Sequence, residues 1–250
     1  MNLHSRGVTV QNPTRIMLFG KIRAGKDFVA DRLSIPKHNL ARPFYWLINN
    51  LIGNTVKGNP GMRRTMQEIG QWGRGIINEQ YPVTTARISF VNMVRKLEGW
   101  ESYGEKMDFW AHKLCQSPEI LDLTKDLVVT DCRYLDDSKA IEKYNVEPYL
   151  VLCYEETRKS RIDALGEKYD GIIPVPKIGE IPKYDLDFLL KHTDISEVYA
   201  TYLSWNALYS NDLGFSQDRI IWNDENPMPA GKKFLTVESF LERHGKFIKK

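Results

Sequence analysis

Short apolar runs separated by polar stretches are the clearest pattern in the chain, and they predict strands. They occupy residues 16–19, 127–130, 149–152 and 219–222. Each is rich in β-branched or aromatic residues and bounded by polar or turn residues, as in strands that are covered on both faces. A further strand is predicted to end near residues 39–41.

Helical periodicity fills the intervals between these runs. The predicted helices span residues 27–33, 44–52, 62–79, 108–115, 136–144 and 237–247. Alternation of strands and helices is typical of an α/β fold, here a doubly wound parallel sheet of about five strands. No linker or repeat divides the chain, so residues 1–250 are predicted to form a single domain.

Two segments do not fit this alternation. Residues 83–107 are interpreted as a peripheral insertion, and residues 155–213 form a long polar segment between the last two predicted strands. A segment of that length inside a domain is usually functional, so we interpret it as a lid. A surface excursion without catalytic importance is the alternative.

Composition adds limits to this picture. The apolar fraction of 42% is enough for a sizeable core, and the net charge of +3 favours an anionic ligand without requiring nucleic acid. Three cysteines without close spacing are typical of a reducing cytosol. No apolar run is long enough for a membrane span, and residues 1–14 lack the apolar core of a signal peptide. We therefore expect a cytoplasmic protein without a membrane partner.

Residues 20–27, Gly-Lys-Ile-Arg-Ala-Gly-Lys-Asp, lie between a predicted strand and a predicted helix. They fit the phosphate-binding pattern G-x-x-x-x-G-K-[ST] except at the last position. Glycines let the backbone turn its N–H groups inward, and the helix N-terminus adds positive potential. We therefore predict an ATP phosphate site formed by Gly20, Arg23, Ala24, Gly25, Lys26, Asp27 and Phe28.

Within this site, Lys26 is predicted to follow the phosphoryl group as it transfers. Asp27 stands where a Ser or Thr hydroxyl would contact Mg²⁺, and its carboxylate is also a suitable magnesium ligand. The alternative is that Asp27 caps the helix. Arg23 is predicted to face the phosphates or the acceptor, with a solvated arginine as the alternative.

The run at residues 127–130 leads directly into Asp131, Cys132 and Arg133. A carboxylate at a strand end beside a phosphate loop can hold Mg²⁺, its water shell or an acceptor hydroxyl, so Asp131 is a candidate catalytic and metal-binding residue. Arg133 is a candidate contact to either substrate. A helix cap is the alternative for Asp131.

Residues 20–31 resemble the G-x-x-R-[SA]-G-K-D signature of the phage deoxynucleoside monophosphate kinase family. The related animal phosphomevalonate kinases share the loop and its terminal aspartate. Further matches lie at residues 40–43, 63–70, 109–110, 128–133 and 196–197, so the resemblance extends over residues 15–223. It implies a P-loop kinase with ATP and Mg²⁺ as cofactors, acting in the cytoplasm of an infected bacterium if the chain is phage-encoded.

The predicted helix over residues 62–79 carries the candidate acceptor site. Arg63, Gln67, Gly70 and Arg74 form one stripe beside the apolar face. Two arginines and an amide around a glycine gap suit a monophosphate and a base edge, whereas an exposed, salt-bridged face is the alternative. Arg42, after the second strand, is predicted at the carboxyl edge of the sheet. Glu197 is an acceptor contact by resemblance alone.

Arg158 and Arg161 are three positions apart and share a face if their segment is helical. In a lid they would close over the triphosphate, neutralise charge in the transition state and exclude water. Both are therefore candidate catalytic residues. The alternative is a solvated basic surface.

Phosphorylation of (deoxy)nucleoside monophosphates is the leading hypothesis. One alternative is a kinase for a hydroxymethylated base in phage DNA, with Asp131 as general base and DNA as partner. Another is a non-catalytic nucleotide-binding module. The base, the sugar and the choice between monomer and homodimer stay open.

Overall fold

Six parallel strands form a single sheet in a computed structural model of the chain. The structure describes residues 12–40, 42, 45, 109–118, 121–132, 135–166, 195–209 and 215–245. The helices predicted over residues 44–52 and 62–79 fall, apart from Tyr45, outside the described residues, as does the insertion at residues 83–107.

The strands lie in the spatial order β2-β3-β1-β4-β5-β6. Their bounds are β1 Arg15–Phe19, β2 Lys37–Asn39, β3 Leu127–Cys132, β4 Glu147–Leu152, β5 Ile220–Trp222 and β6 Leu235–Thr236. Every described pairing is parallel, which confirms the predicted α/β class and the parallel sheet. The predicted count of about five strands was wrong, because β6 has two residues and is too short to produce a periodic signal.

Six helices accompany these strands in the described part of the chain. Their bounds are α1 Lys26–Arg32, α2 Phe109–Gln116, α3 Leu135–Glu142, α4 Glu155–Ala164, α5 Ile195–Tyr209 and α6 Val237–His244. Helix α6 starts where expected, with the Thr236 hydroxyl accepting a hydrogen bond from the Ser239 amide at 3.1 Å. It ends before Gly245, whose φ of 59° suits a left-handed helix terminus.

Helices α4 and α5 begin and end the segment interpreted as a lid. Of the residues between them, 167–194 lie outside the described part. Side chains of α5, including Leu203, Ala207 and Leu208, pack in the hydrophobic core. This end of the segment therefore belongs to the body of the domain.

The sheet separates two hydrophobic clusters. Alternate residues of β1 face opposite sides, since Met17 and Phe19 join one cluster while Ile16 and Leu18 join the other. Side chains of α2, α3 and α5 complete the first cluster, and those of α1 and α6 complete the second. Coverage of both faces explains why the strands read as uninterrupted apolar runs.

Within the described ranges, no helix combines the length and the apolar character that crossing a membrane would require. The three cysteines all lie in the described ranges, where they are buried and form no disulfide bond. Burial raises the pKa of the Cys115 thiol to about 12, and that of Cys153 to about 12 as well, so both are packing residues at neutral pH.

Candidate functional site

The loop from Gly20 to Gly25 connects β1 to α1 at the carboxyl edge of the sheet, as the sequence predicted. Its backbone takes positive φ at Gly20 (134°), Arg23 (63°) and Gly25 (100°). Such angles are readily adopted by glycine and rarely by arginine. The loop is therefore a tightly turned structure that depends on its two glycines.

Close packing gives the same glycines a second role. A Cβ atom on Gly20 would lie 2.5 Å from the Val151 carbonyl oxygen, and one on Gly25 would lie 1.8 Å from Asn223 Nδ2. Val151 belongs to β4, and Asn223 directly follows β5. The loop thus lies directly against the ends of two neighbouring strands.

Lys26 turns back into this loop. Its Nζ donates to the carbonyl oxygens of Gly20 and Lys21, each at 2.8 Å, and the residue is only 5% exposed. The ammonium is therefore held inside the curve of the loop. An ammonium in this position places a positive charge where an anion would meet the N-terminus of α1.

Arg161 and Asn223 hold the outer side of the loop. The Ala24 carbonyl oxygen accepts from Arg161 Nη1 at 3.2 Å and from Asn223 Nδ2 at 2.9 Å. Arg161 Nη2 also donates to the Asn223 carbonyl at 2.9 Å. The Ala24 carbonyl and the Gly25 N–H belong to the same planar trans peptide unit and point in opposite directions. The Gly25 N–H therefore points away from the Arg161 and Asn223 side chains. Arg161, predicted to close over phosphates, thus contacts the backbone of the loop in this structure.

Arg158 belongs to a buried charge network beneath the loop. Its Nε donates to Glu155 Oε2 at 2.8 Å, and Glu155 Oε1 also pairs with Lys21 Nζ. The three residues are 2–4% exposed. Burial lowers the pKa of Lys21 and the charge of Arg158 lowers it further, whereas Glu155 and Glu197 oppose this. Arg158 therefore lies within the protein, paired with the first residue of its own helix.

Glu197 contacts the loop backbone. Its carboxylate accepts from the Ile22 N–H, at 3.1 Å to Oε1 and 3.3 Å to Oε2, and the residue is 4% exposed. It lies in the first turn of α5, where the helix dipole favours a negative charge. Helices α4 and α5 are thus both joined to the loop by buried glutamates. The acceptor contact implied for Glu197 stays a prediction.

Asp27 and Phe28 lie in the first turn of α1 and face outward. The Asp27 side chain is 66% exposed and pairs with Lys37 Nζ at 3.2 Å. Phe28 is 45% exposed, with the Arg32 guanidinium 3.5 Å above its ring. Gly25 is the N-cap of α1, without a side-chain cap bond, so Asp27 does not cap this helix.

Asp131 lies at the end of β3 in a left-handed conformation with φ of 68°. This conformation costs an ordinary L-residue about 1–2 kcal/mol, although Asp and Asn tolerate it better than most. Asn39, the last residue of β2, contributes its side-chain amide to the Asp131 carboxylate. Asp131 is half-buried and close to the loop, because Gly20 N donates to the carbonyl of the next residue, Cys132, at 3.3 Å.

Arg42 is exposed, and its guanidinium contacts the His38 ring. Burial and the Arg42 charge together lower the pKa of His38, so the imidazole is neutral at pH 7. Arg42 therefore lies near the carboxyl end of β2, as predicted. The other candidate acceptor residues, Arg63, Gln67, Gly70 and Arg74, lie outside the described residues, as does Arg133.

A bound Mg²⁺ would find few protein ligands here. The described ranges contain no group of three or more His, Cys, Asp or Glu side chains that could hold a metal. Mg²⁺ commonly keeps several waters and binds one or two carboxylates together with phosphate oxygens. Asp27, in the first turn of α1, and Asp131, at the end of β3, are candidate carboxylate ligands for such a site, which phosphate oxygens would complete.

Sequence reasoning overlooked four residues that shape this site: Lys21, Asn39, Glu155 and Asn223. Asn39 and Asn223 had a detectable signal, because each comes at the end of a predicted strand, where parallel strands present polar residues to one edge. Lys21 and Glu155 had none. Their contact joins positions 134 residues apart, and nothing local distinguishes them from surface charges.

Comparison of the chain with protein-family models, with curated proteins and with solved structures finds no match. The function is therefore inferred from the geometry of the loop and of the neighbouring strand ends.

Proposed function

We propose that the chain is an ATP- and Mg²⁺-dependent phosphotransferase with a P-loop kinase fold, which phosphorylates (deoxy)nucleoside monophosphates. The observation that carries this proposal is the loop of residues 20–25, folded around the Lys26 ammonium at the N-terminus of α1. Backbone amides, a helix N-terminus and a buried lysine together favour a polyphosphate ligand.

The winding of the sheet supports a ligand at this place. Strands β1 and β3 are neighbours, yet the helix following β1 packs on one face and the helix following β3 packs on the other. In open α/β sheets, ligands bind in the crevice outside the carboxyl ends of strands where the winding reverses. The winding here reverses between β1 and β3, so we expect this crevice between the loop and Asp131.

The residues suit phosphoryl transfer because that reaction depends on charge stabilisation and alignment rather than on covalent help. Lys26 and the N-terminus of α1 supply positive potential on one side of the crevice. Arg23, half-buried in the loop, is the candidate contact to the transferred group. A monophosphate acceptor is already anionic and needs no general base. Mg²⁺, when bound, would neutralise charge on the phosphates beside Asp27 and Asp131.

The test measures ADP release in the presence of ATP and Mg²⁺. Each ribo- and deoxynucleoside monophosphate is offered as the acceptor in turn, followed by DNA with and without hydroxymethylated bases. We expect turnover with one or more free monophosphates. Signal on modified DNA alone would replace the proposed acceptor with the DNA base, for which Asp131 would be the general base. ATP binding without turnover on any acceptor would support a non-catalytic module and contradict the proposal.

Lys26→Ala provides the residue-level test. We expect kcat/KM to fall at least about 1,000-fold, since the ammonium stabilises charge that develops in the transition state. Lys125→Ala is the matched control, because this lysine is 75% exposed and forms a surface ion pair with Asp122 before β3. Near-normal turnover by Lys26→Ala would refute the assignment of the loop.

A further inference from the structure

The end of β3 departs from regular pairing beside the loop. Arg15, Ile16 and Met17 of β1 pair in sequence with Leu127, Val128 and Val129, but Phe19 pairs with Cys132. Strand β3 therefore carries one more residue than β1 between the last two pairs. Such bulges bend a strand and redirect a side chain, and they are frequent next to active sites.

The extra length is accommodated where Asp131 takes its left-handed conformation, with φ of 68°. A non-glycine residue held in that conformation requires support from its surroundings, and such residues cluster at functional sites. The bulge and the backbone angle describe the same irregular position in β3. It lies at the carboxyl edge of the sheet, next to the loop of residues 20–25.

Backbone hydrogen bonds from both sides of β3, from β2 and from the loop after β1, stabilise this bulge. On one side, Asn39 pairs with Thr130, and the Leu40 N–H donates to the Thr130 carbonyl at 3.0 Å. On the other side, the first residue of the phosphate loop donates to the Cys132 carbonyl at 3.3 Å. The backbone on each side of Asp131 is therefore fixed, which leaves the direction of its carboxylate to be set by side-chain contacts.

Asn39 supplies that contact through its side-chain amide. We propose that Asn39 is a positioning residue, which holds the Asp131 carboxylate in one orientation at the crevice and so supports phosphoryl transfer. This inference rests on the proposed function. It assigns to Asn39 a role through Asp131 and no contact of its own with substrate.

A double-mutant cycle in turnover tests the proposal. The variants are Asn39→Ala, Asp131→Asn and the combination of both, each assayed on the acceptor that the unmodified chain uses. We expect Asn39→Ala to lower kcat about 10–100-fold with a much smaller change in KM, as for residues that orient a functional group. In the Asp131→Asn background, the same substitution should lower kcat less than about twofold, because its target has been removed.

Additive losses in this cycle would overturn the proposal, since Asn39 would then act independently of Asp131. A rise in KM with unchanged kcat would overturn it as well, because that result indicates direct binding of substrate. If Asn39→Ala does not fold, Asn39→Ser keeps a shorter hydroxyl donor and enters the same cycle. Absence of turnover by the unmodified chain refutes the proposed function itself, which separates the two failures.

Asn145→Ala is the control for general destabilisation. Asn145 is exposed, precedes β4 at the opposite edge of the sheet and has φ of 55°. Alanine is strained in that conformation, so we expect a Tm lower by roughly 2–4 °C and an unchanged kcat. A kcat loss in Asn145→Ala equal to that in Asn39→Ala would attribute both losses to stability and overturn the proposal.

Discussion

In a parallel sheet the strands begin at one edge, here called the amino edge, and end at the other, the carboxyl edge. Both edges carry networks of charged residues, but the networks differ in burial. At the amino edge, Glu147 Oε2 accepts from Tyr149 Oη at 2.9 Å and from Arg219 Nη1 at 2.6 Å. The Glu147 and Arg219 side chains are 47% and 32% exposed. Water reaches these charges, so each pair contributes little to stability and can be lost at small cost.

At the carboxyl edge, the charges of Lys21, Glu155 and Arg158 are removed from solvent, and two non-glycine residues, Arg23 and Asp131, have left-handed backbones. Burying charges and holding such conformations both oppose folding. The edge that costs stability is therefore the one with the loop of residues 20–25. Strained residues of this kind are typical of functional sites.

The largest predicted effect is on stability, when one carboxylate is neutralised at the carboxyl edge and, for comparison, one at the amino edge. Glu155→Gln leaves Lys21 and Arg158 buried without their carboxylate, so we expect a loss of about 3–5 kcal/mol in the free energy of unfolding. Glu147→Gln, its counterpart at the amino edge, should lose no more than about 1 kcal/mol. Urea unfolding followed by circular dichroism measures both.

Adding Lys21→Met to Glu155→Gln sharpens this comparison. The double variant removes one of the two cations left without a carboxylate and should recover part of the lost stability. Equal losses of unfolding free energy in Glu155→Gln and Glu147→Gln would contradict the proposed difference between the edges. Such a result would mean that burial of the Lys21 network carries no particular cost.

A smaller effect is expected from glycine and alanine at the left-handed positions, Asp131 at the carboxyl edge and Asn145 at the amino edge. Glycine takes this backbone without strain, so the glycine variant should be more stable than the alanine variant by about 1 kcal/mol at each position. Turnover, in contrast, should fall at least about 100-fold in both Asp131 variants and stay unchanged in both Asn145 variants.

The combination of these two results is what distinguishes the edges. An Asp131→Gly chain that is as stable as the unmodified protein and inactive would mean that the strain is retained for function. Full activity of that variant would remove Asp131 from the proposed chemistry. Glycine also relieves the backbone strain at Asn145. Loss of activity in Asn145→Gly would therefore indicate that turnover depends on backbone strain even at the amino edge.

Local patterns predicted most of the fold. The strands were found because uninterrupted apolar runs such as residues 149–152 record burial on both faces. The position of the loop between β1 and α1 was predicted because its glycines and lysine lie within eight consecutive positions, residues 20–27. Strand β6 was missed, because Leu235–Thr236 is too short to show a period.

Contacts between distant residues were not predictable in the same way. The spacing of Arg158 and Arg161 indicated a shared helix face, but not that one pairs with Glu155 and the other with the loop backbone. Asn39 and Asp131 are 92 positions apart, and only the pairing of β2 with β3 brings them together. Sequence thus located the loop and the strand ends, whereas the contacts between them depend on the packing of the strands.

The smallest predicted effect concerns acid stability at the amino edge. Burial raises the pKa of Glu147, but the Tyr149 hydroxyl and the Arg219 charge outweigh it and leave that pKa below its ordinary value. A carboxyl whose folded pKa is depressed stabilises the fold above its unfolded pKa, about 4.3, and this contribution disappears as pH falls through the folded pKa. Arg219→Ala should therefore lose up to about 1 kcal/mol at pH 7 and less at pH 3. Urea is the suitable denaturant, because guanidinium salts screen exposed charges.

An equal loss at both pH values would mean that Arg219 acts through its guanidinium, 4.9 Å above the Tyr149 ring, and not through Glu147. In that case the amino edge would be held by a contact that does not titrate with Glu147, and its exposed carboxylate would add nothing measurable to the fold.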